Sequence, residues 1–128
     1  MLPLIPRPLH GWLTDYPYVL VNLAAPYLFG FSQVPSAVLA TRIFAGIILV
    51  GSLLTRAEWG LARVVPYKMH LLLDATLGLF VVASPWIFGF SDVSAARNFA
   101  IVAGLFGILA GTCSKTDEMP AVKIRATD

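Results

Sequence analysis

The chain contains the stretch DYPYVLVNLAAPYLFGFSQV at residues 15–34 and repeats it as DATLGLFVVASPWIFGFSDV at residues 74–93. The two copies are offset by 59 residues and are identical at nine of 20 positions. Each copy is an apolar segment that ends in Pro, an aromatic residue, any residue and Phe-Gly-Phe-Ser, and a second apolar segment follows it. An internal duplication dictates architecture, because each copy is one structural unit that packs against its neighbour. The sequence therefore predicts two tandem units of two helices each.

The composition indicates a membrane protein. Of 128 residues, 58% are hydrophobic and 12% are charged, whereas a soluble domain carries about 25% charged residues. A helix needs about 20 mostly apolar residues to cross roughly 30 Å of hydrocarbon. Four segments meet this requirement, at about 12–31, 36–54, 69–90 and 94–113. We therefore predict an all-α membrane protein with four transmembrane helices, built from two tandem, parallel two-helix repeats.

The distribution of cationic residues predicts the orientation. Seven Lys and Arg residues lie in the N-terminal arm, the central loop and the C-terminal tail, whereas only Arg42 and Arg97 lie on the opposite side. The positive-inside rule then places both termini in the cytoplasm. Both repeats enter the membrane in the same direction, so a pseudo-two-fold axis along the membrane normal should relate them. The predicted organisation is an interfacial arm at 1–11, repeat 1 at 12–55, a cytoplasmic loop at 56–68, repeat 2 at 69–113 and a disordered cytoplasmic tail at 114–128.

The shared motif lies at the far end of the first helix of each repeat. Its prolines should kink the helices, its glycines should end them, and its aromatic rings should form an interfacial belt. The motif residues are Ala25, Pro26, Tyr27, Gly30 and Phe31 in the first copy and Ser84, Pro85, Trp86, Gly89 and Phe90 in the second.

The run Ser84-Pro85-Trp86-Ile87-Phe88-Gly89-Phe90 resembles the signature of the SPW-repeat family of small prokaryotic membrane proteins. The first copy departs from this signature, because it has Ala25 and Tyr27 in place of Ser and Trp. The resemblance covers about residues 10–113. It implies a two-repeat, four-span protein of a prokaryotic inner membrane, and it implies no particular activity.

Two aspartates at equivalent positions, Asp15 and Asp74, are the first candidate polar site. A carboxylate in a membrane span is costly and marks a functional site by default. The competing interpretation is structural, since a carboxylate in the first turn of a helix can cap it or form an intramembrane ion pair. The candidate partners are Arg56 and Lys115, which are also 59 residues apart, and the nearby histidines His10 and His70.

Two histidines, His10 and His70, precede these aspartates by five and four residues. A histidine oriented by a carboxylate is common at metal sites, and two histidines can ligate haem. The alternative is a pair of polar residues at the membrane interface, and we predict no bound cofactor or metal because no cluster of Cys or Glu accompanies them.

Small residues form a stripe on the fourth span, which suits close helix packing in lipid; they are Ala100, Gly104, Gly107 and Gly111. A net charge of +2 does not suggest nucleic-acid binding, and the chain contains no nucleophile–base motif, so we predict no enzyme. The favoured function is a structural, accessory or oligomerising subunit that associates in the bilayer with itself or with a larger complex. The alternatives are a small transporter or channel-like protein that uses Asp15 and Asp74, and a haem- or metal-binding module that uses His10 and His70.

Overall fold

The computed structural model describes residues 3–119, and within this range every named element is helical. The all-α prediction is therefore confirmed for the described part of the chain. The elements are α1 at Arg7–His10, a π-helical segment at Gly11–Asp15, α2 at Tyr16–Leu28, α3 at Pro35–Leu54, α4 at Tyr67–Ile87 and α5 at Ser94–Thr112.

Three helices, α3, α4 and α5, are long and apolar enough to cross a membrane. Helix α2 is shorter, at 13 residues, which is about 20 Å at 1.5 Å per residue. Helix formation also begins earlier than predicted, because α1 and the π-helical segment precede α2 without a break.

The small-residue stripe of α5 packs against α4. A Cβ atom built on Gly104 would lie 2.6 Å from the carbonyl oxygen of Gly78, and one built on Gly111 would lie 2.5 Å from that of Leu71. Helix backbones can approach this closely only where side chains are absent. The stripe is therefore occupied within the chain, by the neighbouring helix of the same predicted repeat.

The motif residues divide between the core and the surface. The prolines Pro26 and Pro85 are fully buried, two residues before their helices end, whereas Tyr27 and Trp86 are exposed. The buried Ser84 hydroxyl donates to the carbonyl of Val81 at 2.6 Å. The Pro and Ser of the motif therefore pack inside the bundle, whereas the aromatic residue after the Pro, Tyr27 or Trp86, faces outward.

Phe31 and Phe90 differ from the prediction, because they lie in the hydrophobic core and not in an interfacial belt. The preceding residues, Gly30 and Gly89, have φ of +76° and +78°. This left-handed turn lets the Phe31 N–H donate to the carbonyl of Pro26 at 2.9 Å, and the second copy repeats the bond at 2.8 Å. The turn ends the helix and directs the following ring back into the bundle.

We expect Gly30→Ala and Gly89→Ala each to lower the free energy of unfolding by about 1–2 kcal/mol, because a Cβ is unfavourable in the left-handed region. Neither Cβ would contact another atom within 4 Å, so the effect isolates backbone conformation. Thermal unfolding in detergent measures it. The matched control is Gly46→Ala, which is equally open but lies inside α3 and should be neutral or stabilising. Equal effects at all three sites would contradict the expectation.

Candidate functional site: a buried histidine–aspartate cluster

His10, Asp15, His70 and Asp74 meet in one buried cluster, in which no side chain is more than 7% exposed. The Nε2 atom of His10 lies 2.8 Å from Oδ2 of Asp74 and 3.1 Å from Oδ1 of Asp15. The Nε2 atom of His70 lies 2.8 Å from Oδ2 of Asp15 and 3.4 Å from Oδ2 of Asp74. Imidazole nitrogens and carboxylate oxygens therefore alternate around a ring. The sequence offered the nearby histidines as one of several possible partners of the aspartates, and the fold makes all four residues one cluster.

Two hydroxyl groups orient the histidines through hydrogen bonds to Nδ1, the ring nitrogen that does not face the carboxylates. Nδ1 of His10 lies 2.7 Å from the Ser114 hydroxyl, and Nδ1 of His70 lies 2.8 Å from the Thr55 hydroxyl. Each hydroxyl already donates its single proton to a helix carbonyl, that of Ala110 or Gly51, at 2.6 Å. A hydroxyl has one proton to give, so it must accept from the imidazole. Both histidines therefore carry a proton on Nδ1.

The π-helical segment brings the two halves of the cluster into register. Five residues separate His10 from Asp15, whereas four separate His70 from Asp74. In the first half the Tyr16 N–H bonds to the carbonyl five residues earlier, as in a π-helix, which absorbs one extra residue. Both aspartates can thus contact both histidines, although the histidines are 60 residues apart and the aspartates 59.

Tyr67 covers the histidines. Its ring is stacked on that of His70 with an interplanar angle of 10°, and it meets His10 edge-on at 5.7 Å between centroids. The residue is buried, and its hydroxyl has no hydrogen-bond partner among the described residues. The cluster is therefore shielded by an aromatic side chain at the start of α4.

An ion-pair network lies above the cluster. The guanidinium of Arg7 donates to Glu58 at 2.8 Å and to Asp117 at 3.1 Å, so it joins α1 to the central loop and to the segment after α5. The hydrogen bond from Arg7 lowers the pKa of Glu58 below its ordinary value of 4.5, against the smaller opposing effect of burial.

Because the pKa of Glu58 is lower in the folded state, this ion pair should stabilise the protein above about pH 4.5 and lose its effect as the pH falls through the folded-state pKa. We expect Glu58→Gln to lower the free energy of unfolding by up to about 1 kcal/mol at pH 7, as for a partly exposed pair. A double-mutant cycle with Arg7→Met, measured by thermal unfolding at pH 7 and at about pH 3, tests this. A coupling energy that does not decrease between pH 7 and the lower pH would contradict it.

The capping interpretation of the aspartates is wrong. Asp15 makes no side-chain capping bond, and Asp74 lies well inside α4, whose N-cap is Pro66. Within residues 3–119, neither aspartate forms an ion pair with Arg56 or Lys115; the histidines are their partners. His10 and His70 are also not exposed polar side chains, because both are 1% exposed. Burial in the ring of carboxylates explains both differences.

Two further functional residues, Thr55 and Ser114, were missed by sequence reasoning. They are 59 residues apart, and the repeat offset could have paired them. Ser114 had been assigned to the disordered tail, but it is buried and bonded to His10. Glu118 also accepts from the backbone N–H groups of Tyr67 and Lys68. The ordered region therefore extends past the predicted boundary at 113, and the remainder of the predicted tail, 120–128, lies outside the described residues.

The comparison with protein families matches the SPW repeat domain over residues 10–114. The chain belongs to the SPW repeat family. The match runs from the first histidine of the cluster to the serine that orients it, so the SPW repeat region contains the whole cluster. No curated protein and no solved structure matches the chain. For this SPW repeat protein, function must therefore be argued from the site.

Proposed function

We propose that this protein is a non-enzymatic membrane protein with four spans in two tandem parallel repeats, and that it binds a cation at the cluster of His10, Asp15, His70 and Asp74. The sequence offered the aspartates for ion transport and the histidines for metal binding as alternatives. Their convergence in one buried ring is the observation that carries the proposal.

The continuity of α1, the π-helical segment and α2 supports the fourth span. The run from Arg7 to Leu28 is helical throughout, and at 1.5 Å per residue it is about 33 Å long. This length is enough to cross roughly 30 Å of hydrocarbon. The exposed Trp12 on this run would lie at the interface.

Matched hydrogen bonds support the tandem repeat. The Arg56 N–H donates to the carbonyl of Val65, and the Lys115 N–H donates to the carbonyl of Ile5, each at 2.8 Å. The two donors are 59 residues apart and the two acceptors 60. The segment after each predicted repeat thus contacts the segment before the other repeat in the same way, as expected for two parallel units around a pseudo-two-fold axis.

The electrostatics of the cluster is compatible with a bound cation. Two carboxylates buried in a membrane protein need compensating positive charge, because an unpaired buried charge is strongly unfavourable. Protonated His10 and His70 supply this charge without an ion, and a cation that displaces their Nε2 protons would supply it instead. A space of about 10 Å³, the size of a water molecule, lies beside Asp15 and Asp74.

The cation-binding proposal is tested by thermal unfolding with a series of added cations: Na⁺, K⁺, Mg²⁺, Ca²⁺, Mn²⁺, Co²⁺ and Zn²⁺. A ligand that binds only the folded state raises its stability by about 2.7 kcal/mol at 100 times Kd. We expect at least one cation to raise the Tm of the wild type and to have little effect on Asp15→Asn/Asp74→Asn. If no cation raises the Tm of the wild type more than that of the double variant, the proposal is wrong.

The distribution of Lys and Arg supports an inner-membrane location in a prokaryote with both termini cytoplasmic. The cluster would then lie near the cytoplasmic boundary, because it adjoins the start of α4 and the segment after α5. Single cysteines introduced at Ser32 and at Lys115 in a Cys113→Ser background should be labelled from opposite sides of intact cells. Labelling of both from one side would overturn this topology.

A role as an accessory or oligomerising subunit is a second candidate, and an apolar groove between α2 and α5 favours it. The groove is about 230 Å³, and Val21 and Val102 line it while remaining exposed. A helix of a second copy or of a larger membrane complex could fill it. Native mass spectrometry in mild detergent should show a complex that Val21→Trp dissociates and the control Leu79→Trp, on the exposed face of α4, preserves. A monomeric wild type would exclude self-association.

A further inference from the structure

We infer that the cation is a single divalent transition-metal ion of the Zn²⁺ type, held in a closed tetrahedral site by Nε2 of His10, Nε2 of His70 and one carboxylate oxygen each from Asp15 and Asp74. This inference rests on the proposed cation-binding function and names the class of ion.

The hydrogen bonds at the Nδ1 atoms of the two imidazoles support metal ligation by their Nε2 atoms. Because the hydroxyls of Ser114 and Thr55 accept from Nδ1, each Nε2 atom is the ring nitrogen that faces the carboxylates. Each Nε2 also lies 2.8 Å from a carboxylate oxygen, so without a metal it donates its proton to that carboxylate. A metal ion would displace the two Nε2 protons, and the freed lone pairs together with the two carboxylates would form a donor set for it. Ligating histidines commonly have their other ring nitrogen fixed by such a hydrogen bond.

The distances suit a tetrahedral ion. One ligand atom from each of the four residues lies within 4.8 Å of all the others. Zn–N and Zn–O bonds of about 2.0–2.1 Å place tetrahedral ligands about 3.3 Å apart. The Nε2–oxygen separations of 2.8–3.4 Å involve both oxygens of Asp15, so ligation by one oxygen of each aspartate requires the four ligand atoms to draw together from separations of up to 4.8 Å.

The chemistry of the donors selects the ion. Imidazole nitrogen suits Zn²⁺, Co²⁺ and Fe²⁺, whereas Mg²⁺ and Ca²⁺ prefer oxygen ligands alone. A divalent ion would also neutralise the two carboxylates, which leaves no net charge in the buried site.

One atom of the cluster is unsatisfied without an ion. Asp74 is only 3% exposed, so water cannot readily reach its carboxylate, and its Oδ1 atom has no hydrogen-bond partner among residues 3–119. A buried carboxylate oxygen is normally paired, and a metal ion at the cluster would compensate its charge. With four protein ligands the tetrahedral shell is full, which is typical of structural zinc sites and leaves no position for a substrate.

Co²⁺ is the probe for this site, because tetrahedral Co²⁺ absorbs visible light far more strongly than the octahedral aqua ion. Purified full-length protein, stripped with a chelator and carrying Cys113→Ser to remove the thiol, is titrated with Co²⁺. We expect the tetrahedral spectrum to saturate at one ion per chain and Zn²⁺ to abolish it. His70→Gln should lose the signal.

The hydroxyls provide variants that keep all four ligands. We expect Thr55→Val and Ser114→Ala each to weaken Co²⁺ binding by about 10–100-fold, with cooperative thermal unfolding retained. The matched control is Thr112→Val, whose hydroxyl bonds only within α5 and to the adjacent Cys113 and which should bind as the wild type does.

The outcomes separate this inference from the proposed function. A wild type that is stabilised by Na⁺ or Ca²⁺ but gives only the octahedral Co²⁺ spectrum overturns the metal assignment and leaves cation binding intact. A tetrahedral signal that His70→Gln retains places the ion elsewhere and also overturns the assignment. If no cation alters the melting temperature and Co²⁺ does not bind, both proposals fail.

Discussion

Asp74→Leu is expected to lower the free energy of unfolding by about 3–5 kcal/mol, because removal of one partner leaves other buried charges uncompensated. The Asp74 carboxylate lies within 3.4 Å of the Nε2 atoms of both His10 and His70, and leucine can contact neither as an acceptor. Thermal unfolding in detergent, with a chelator present to exclude metal, measures the change.

Asp74→Asn is the matched control, since the amide keeps the size of the side chain and one acceptor oxygen. It should cost clearly less than Asp74→Leu. Asp15→Leu should resemble Asp74→Leu, and the double variant should cost less than the sum of the two, because both residues belong to one network. Additive effects would show that the two aspartates act independently and would contradict the cluster.

The second large effect is expected at the contact between α4 and α5. A Cβ on Gly104 would lie 2.5 Å from Cγ2 of Val82 and 2.6 Å from the carbonyl oxygen of Gly78. Since part of this obstruction is backbone, side-chain rotation cannot relieve it. Gly104→Ala should therefore lower the free energy of unfolding by about 1–3 kcal/mol, as other overpacked substitutions do, and Gly104→Leu by more.

Gly46→Leu is the control for size and hydrophobicity, because no atom lies within 4 Å of a Cβ at that position. It should leave thermal unfolding in detergent nearly unchanged. If Gly104→Leu were as mild as Gly46→Leu, the close approach of α4 and α5 would be refuted.

The helices that carry the fold could be predicted from the sequence, because apolar length and helix-ending glycines are local properties. Helices α3, α4 and α5 lie close to three of the predicted spans. The start of the first helix could not be predicted from such local properties. Residues 7–11 were predicted as part of an interfacial arm because they include the polar Arg7 and His10. They become helical because they pack against the central loop and the segment after α5.

The four residues of the cluster were all singled out from the sequence, and the histidines were among the predicted partners of the aspartates, but a single ring of all four was not predicted. Two obstacles explain this. A fixed offset of 59 aligns Asp15 with Asp74 but leaves His10 one position away from alignment with His70. Only the π-helical segment, which sequence periodicity does not reveal, removes the extra residue.

The stripe on α5 shows a different kind of limit. Its spacing correctly indicated a close helix contact, and the structure gives Gly104 and Gly111 such contacts. Periodicity identifies the face of a helix but not what covers it. The partner is α4 of the same chain, so the stripe no longer supports contact with another protein.

The cluster takes one histidine and one aspartate from each half of the chain, so neither half contains the site alone. A single-repeat ancestor could have built it only as a symmetric pair of identical chains, with each chain supplying one His and one Asp. Duplication and fusion would have made that pairing permanent and allowed the sequences of the two halves to diverge. One half could then accept an inserted residue, absorbed as a π-helical turn, and could change Ser-Pro-Trp to Ala-Pro-Tyr. The present differences between the halves would thus have arisen by sequence divergence, while both halves kept the histidine and the aspartate that form the cluster.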